Sequence, residues 1–128
     1  HAITYNCTLW VAMEIIIDTS ALISVITNEL SKSNIIAISK GCRLIAPNSV
    51  HWEIGNALSA MIKRDRISLK QAKECLASYH QIPIKYVDAG LVQTLGLVNS
   101  LKIYAYDTYL VRCALEFGAP LLTMDSGL

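Results

Sequence analysis

The stretch Met13-Glu-Ile-Ile-Ile-Asp18-Thr-Ser-Ala-Leu-Ile23 decides the fold, because a short β-branched run here stops at a polar turn signal and passes into a helical pattern. Such a run reads as a parallel strand buried on both faces that feeds a helix. Asp18 then stands at the carboxyl end of the strand, the edge of an open α/β sheet where ligands bind. Two readings of Asp18 stand side by side: a functional acid at that edge, or the cap of the helix beginning near Thr19 or Ser20.

Working outward, Arg43-Leu-Ile-Ala46 reads as a second strand, Ile84 to Val87 as a third and Leu121 to Thr123 as a fourth. Helical patterns lie between them. Asn28 to Ser33 is a polar break between two helical stretches, Ser68 to Gln81 reads as a helix, and Asp88 to Leu101 as another with Asp88 as its N-cap. This alternation predicts an α/β fold, a three-layer α/β/α sandwich around a central parallel sheet of about four strands. The length of 128 residues fits one domain.

Three further acids sit where packing alone explains them poorly. In Ala46-Pro-Asn-Ser-Val-His-Trp-Glu53-Ile-Gly-Asn56-Ala-Leu58-Ser-Ala-Met61, the apolar residues recur at helical spacing and place Glu53 on the margin of the buried face. Asn56 follows three residues later and is expected to look into the same cleft. The alternative is a first-turn Glu favoured by the helix dipole. In Ile103-Tyr-Ala-Tyr-Asp107-Thr-Tyr-Leu110-Val111, a helical pattern terminated by Gly118 and Pro120, Asp107 projects onto the apolar face defined by Leu110, Val111, Ala114 and Phe117. A carboxylate there is costly unless a cation or hydrogen-bond donors compensate it, and an N-terminal cap is the competing role. Pro120-Leu-Leu-Thr123-Met-Asp125 repeats the geometry of Asp18: a short apolar strand, a hydroxyl, then an acid.

If these strands are neighbours, Asp18 and Asp125 share one sheet edge, and the helices bring Glu53 and Asp107 to it. Converging carboxylates raise one another's pKa or require a cation. Oxygen ligands favour a hard divalent ion, Mg²⁺ or Mn²⁺, over Zn²⁺ or copper. No Ser-His-acid arrangement competes, and His51 reads as a first-turn or surface residue of its helix.

With these motifs in view, Asp18-Thr-Ser-Ala, Glu53-x-x-Asn-Ala-Leu, Tyr106-Asp107-Thr-Tyr109 and Thr123-x-Asp125 resemble the acidic signature of PIN-domain ribonucleases. The resemblance is greatest to the small VapC-type toxins of prokaryotic toxin–antitoxin pairs. It covers residues 13–128 and implies a metal-dependent endoribonuclease that hydrolyses RNA phosphodiester bonds. It assigns Asp18, Glu53, Asp107 and Asp125 to catalysis and to Mg²⁺ or Mn²⁺ binding, with Thr19, Asn56 and Thr123 in positioning roles. It also implies a homodimer, a cognate antitoxin protein, and products with a 5′-phosphate and a 3′-hydroxyl.

Two departures from the family pattern stand out. Residues 1–12 precede Met13, the natural-looking start, and read as an extension of separate origin. The chain reaches Leu128 three residues after Asp125, where the family continues through a further helix and edge strand, so the single domain of residues 13–128 is expected to lack that edge.

Two rivals come from other classes. A PIN-like module that binds RNA or protein without cutting gains nothing from concentrated negative charge at its pocket. An aspartate-based phosphotransferase needs a second acid two residues after the first, and Ser20 occupies that position.

Composition agrees with a cytoplasmic domain in contact with a partner. Hydrophobic residues make up 53% with Tyr counted, and exchanging six Tyr for six Gly leaves the tally unchanged, above the roughly 45–50% usual for soluble domains. Some apolar surface is therefore expected to be covered. The net charge of +1 announces no nucleic-acid binder, although Lys63, Arg64 and Arg66 cluster where RNA phosphates could be held. The alternative is an ordinary solvated helix end. Cys7, Cys42, Cys75 and Cys113 show no zinc spacing and read as reduced core thiols. There is no secretory leader pattern, and every apolar run is too short to span a membrane.

Overall fold

The computed structural model describes residues 13–103 and 105–125. In chain order these form β1 (Glu14–Ile17), α1 (Thr19–Ile26), α2 (Lys32–Ser39), β2 (Arg43–Pro47), α3 (Ser49–Lys63), α4 (Leu69–His80), β3 (Ile84–Val87), α5 (Leu91–Leu101), α6 (Ala105–Phe117) and β4 (Leu121–Leu122). The strands make one parallel sheet in the order β3-β2-β1-β4.

Burial along β1 explains its place. Ile15, Ile16 and Ile17 are all buried in succession, so the strand is covered on both faces, as only a central strand of a sandwiched sheet can be. Ile45, Ala46 and Pro47 of β2 repeat the pattern, whereas β3, at the edge, exposes Lys85 and Tyr86. Helix α6 lies on β1, β2 and β4 and pairs with α5; α1 packs on α2, α3 and α4. Since β1 is buried on both sides and α6 accounts for one, the α1–α4 group supplies the other layer. The expected three-layer sandwich with a four-stranded parallel sheet is the fold observed. Its core joins Ile16 and Ile45 of the sheet to Leu22, Val50 and Ile54 on one side and Leu110 on the other. Each such side chain contributes roughly 1.5–3 kcal/mol on burial.

Local signals set the element ends. Ser68 and Gln71 form a reciprocal capping box at the start of α4. Gly118 takes a left-handed conformation at φ +57° after α6, and the Ala119 amide closes back on the Ala114 carbonyl at 3.1 Å.

Several expected boundaries shift. Helix α5 begins at Leu91 with Gly90 at its N-cap, so Asp88 does not cap it; the Asp88 carboxylate instead accepts a hydrogen bond from the Asn48 side-chain amide. Helix α6 begins at Ala105 rather than Ile103, and β4 ends at Leu122, which leaves Thr123 just beyond the ladder. Cys113 is buried while Cys42 and Cys75 are half-buried, all three as free thiols. Burial pushes the Cys113 thiol up to about 11, which keeps it protonated at neutral pH. The expected extension over residues 1–12, with Cys7, lies outside the described residues.

Candidate functional site

The strand order locates a crevice. From β1 the chain winds outward through β2 to β3, then returns to lay β4 on the opposite side of β1. Where the winding reverses, connections leave adjacent strands in opposite directions and a cleft opens at their carboxyl ends. Asp18 follows β1 at that point, and Thr123 follows β4.

A cleft of about 470 Å³ occupies the switch point, and Asp18, Glu53, Asp107 and Asp125 all line it. They arrive from four separate elements: the β1–α1 junction, α3, α6 and the segment after β4. Asp18 is 4% exposed yet well supplied with donors. Its Oδ1 accepts from the Ala21 amide at 2.9 Å and the Ser20 hydroxyl at 2.7 Å, and its Oδ2 accepts from the Thr123 hydroxyl. Asp18 thus caps α1 and faces the cleft at once, so the two readings of this residue are compatible rather than exclusive.

Glu53 is differently placed. Helix α3 starts at Ser49, which puts Glu53 in the second turn, beyond a first-turn position. The hydroxyls of Thr19 and Ser49 stand near enough to favour its ionised form, but none of Thr19 Oγ1, Ser49 Oγ and Glu53 Oε2 finds hydrogen-bonding geometry, and all three are buried. Burial raises the Glu53 pKa above its ordinary value, and the charges of Asp107 and Asp18 push the same way. The Asp107 pKa is also raised, first by burial and then by Asp125 and Asp18. No lysine or arginine is among the residues lining the cleft.

The other expected site residues divide. Thr19 and Thr123 stand at the cleft. Asn56 is exposed and does not line it, because three residues turn a helix by 300° and carry Asn56 about 60° further from the core stripe than Glu53. Lys63, Arg64 and Arg66 are exposed at the far end of α3, roughly 15 Å along the helix axis from Glu53.

Two cleft residues escaped the sequence reading. Ser20 donates to Asp18 and accepts the Met124 amide at 2.8 Å, strapping the segment after β4 to the start of α1. Its only sequence signal was adjacency to Asp18. Glu29 also lines the cleft and accepts from Ser24 at 2.9 Å, but within the polar Asn28–Ser33 break nothing distinguished it from a solvated loop acid.

A family profile described as PIN domain matches residues 16–128. The chain belongs to the PIN domain family. Among solved structures, it is similar to PAE2754 from Pyrobaculum aerophilum, with a TM-score of 0.66 and 21% identity over 89% of this chain and 76% of that one. It is also similar to VapC20 of Mycobacterium tuberculosis, a sarcin-ricin loop cleaving toxin, with a TM-score of 0.62 and 13% identity over 88% and 90% of the two chains. VapBC2 from Rickettsia felis, solved bound to a DNA fragment from its promoter, gives a TM-score of 0.63 and 14% identity over 88% and 89%. At these identities the likeness is one of fold. Among curated proteins, none matches the sequence.

The residues of this PIN chain fit a hard divalent cation. The donor set is all oxygen, Glu53 Oε2 is a buried acceptor without a partner, and mutual repulsion already disfavours ionisation of Glu53 and Asp107. Among the described residues no three His, Cys, Asp or Glu side chains stand close enough to form a ready-made metal cage. Such an open arrangement suits an ion that keeps several of its waters, as Mg²⁺ does. No helix among the described residues is long and apolar enough to cross a membrane.

Proposed function

We propose that the chain is a metal-dependent endoribonuclease of the VapC type. The observation that carries this reading is the convergence of four carboxylates from four elements on one cleft at the sheet's switch point. Asp18, Glu53, Asp107 and Asp125 would hold Mg²⁺ or Mn²⁺. When bound, such an ion lowers the pKa of a coordinated water and stabilises charge on phosphate oxygens.

The chain's own residues supply position and electrostatics. Asp18 is immobilised by its three donors, so its carboxylate is presented without loss of side-chain freedom on binding. Thr123 and Ser20 set its orientation and hold the segment carrying Asp125 against α1. Thr19 and Ser49 bracket Glu53, the only one of the four acids with a buried oxygen that lacks a partner, and it is the group most in need of a ligand. Asp107, on the opposite helical layer, closes the cleft from above. The exposed Lys63, Arg64 and Arg66 would attract RNA phosphates at long range.

The structural likeness to VapC20 and VapBC2 supports a toxin role with an antitoxin partner. So does the apolar outer face of α5, where Leu91, Val92 and Leu95 are 65%, 82% and 63% exposed, a surface suited to a second copy or to the antitoxin. The test is end-group analysis of the products from single-stranded RNA. Attack by water predicts 5′-phosphate and 3′-hydroxyl ends, formed only with Mg²⁺ or Mn²⁺. Ends bearing a 2′,3′-cyclic phosphate would contradict it, and the absence of both cutting and Mn²⁺ binding would leave a PIN module that only binds.

A further inference from the structure

A cavity of about 720 Å³, larger than the acidic cleft, is separate from it. It lies on the other flank of α3. The buried stripe of that helix is Val50, Ile54 and Leu58; Glu53 stands to one side of it and His51 to the other. His51, Trp52, Tyr79, His80 and Tyr86 wall this second cleft, and no Asp, Glu, Lys or Arg takes part.

We propose that this aromatic cleft holds an unstacked base of a single-stranded RNA substrate, with Trp52 as the stacking surface. The inference rests on the ribonuclease reading for the identity of the polymer. Its physical basis is local. Trp52 is 74% exposed, a large ring left in water beside a cavity rather than packed. His51 meets it edge-on with ring centroids 5.0 Å apart, and His51 Nδ1 lies 3.4 Å from the Tyr79 hydroxyl, itself hydrogen-bonded to that of Tyr86. Tyr79 is 2% exposed, so the floor beneath the outer rings is fixed by the core. A cleft walled by aromatic faces and ring nitrogens, with no lysine, arginine or carboxylate in its lining, matches a base better than a phosphate.

Continuity with the acids gives the base a route. Asn48 lines both the aromatic cleft and a smaller hollow of about 290 Å³, whose walls include Ser49, Tyr106 and Tyr109. Ser49 faces Glu53, and Asp107 lies between the two tyrosines in sequence while lining the acidic cleft. The acidic cleft and the small hollow therefore adjoin at the carboxyl edge of the sheet, and from Asn48 the aromatic cleft runs down the edge strand β3 to Ile84 at its amino end. A strand whose phosphate sits at the acids would carry a nucleotide further along it past Asn48 to the mouth of the aromatic cleft.

The test uses Trp52 as its own reporter. The chain has two tryptophans, Trp10 and Trp52, so Trp10→Phe isolates its fluorescence. A short single-stranded RNA should quench that emission, and an abasic strand of equal length should not. In cleavage assays with Mn²⁺, Trp52→Ala should raise KM by roughly ten-fold or more with kcat retained, and Trp52→Phe should restore most of the loss. Equal quenching by the abasic strand, or an unchanged KM in Trp52→Ala, overturns the proposal. Cleavage without quenching overturns it too while leaving the nuclease reading intact; base-dependent quenching without metal-dependent cleavage supports the base site and removes the nuclease.

Discussion

Glu53 and Asp107 carry raised pKa values for the same reason that they are interesting: each charge is partly buried and faces other carboxylates. A folded-state pKa above the unfolded one means that the native chain holds its protons to higher pH. Metal-free stability should therefore fall as pH climbs from the ordinary carboxylate range through the raised values. Asp107→Asn removes one charge from the cluster. We expect it to raise the metal-free Tm at neutral pH by a few degrees and to flatten this pH dependence, as thermal melts from pH 4 to 8 would read. A lower Tm in Asp107→Asn would refute the repulsion argument. Thr123→Ala acts in the opposite sense, since it strips a donor from buried Asp18 and an acceptor from the Asp125 amide. It should cost about 1.5–3 kcal/mol in urea unfolding, as expected for a hydrogen bond to a charged group. At this scale the residue types were legible in the sequence and the contacts were not. Periodicity placed Glu53 on a margin, yet assigning Asn56 to the same cleft overlooked its extra rotation towards solvent, and nothing local showed Ser20 bridging to Met124.

Among the elements, β1 sets the architecture because it is paired on both edges and covered on both faces. Ile16, fully buried, touches the centre of that arrangement. Ile16→Ala should destabilise by about 2–5 kcal/mol, near the total stability of a small domain, as a shift in denaturant midpoint or a loss of soluble protein would show. The capping box of α4 gives a milder comparison: Ser68→Ala should cost about 1 kcal/mol and leave cleavage unchanged, because α4 lies outside the acidic cleft. Strands were readable because continuous β-branched runs bounded by turns have few other solutions. Helix starts were less so. Asp88 has the right residue type for a cap, but its carboxylate is engaged by Asn48 from the neighbouring strand's loop, a contact 40 residues distant in sequence that no local pattern encodes.

For the molecule as a whole, the parallel order β3-β2-β1-β4 follows from chain winding and places the reversal between β1 and β4. The sequence suggested that Asp18 and Asp125 would share an edge if their strands were neighbours, and β1 and β4 pair directly. The apolar surplus in the composition has a physical counterpart in the outer face of α5. Self-association through it should depend on concentration, and a Val92→Lys, Leu95→Lys double substitution should shift sedimentation toward monomer without unfolding the chain. An unchanged sedimentation profile would move the interface elsewhere. What would cover that face, and where an RNA strand would lie, depend on surfaces that hydrophobic periodicity does not describe.

If four acids from four elements form one catalytic site, cleavage of single-stranded RNA should depend on each of them. The wild-type chain with Mn²⁺ should be run beside EDTA and beside Asp18→Asn, Glu53→Gln, Asp107→Asn and Asp125→Asn, each checked for folding by circular dichroism. Cutting should require the metal and be lost in every one of the folded variants. Full activity in EDTA, or in any folded variant of the four, would contradict it.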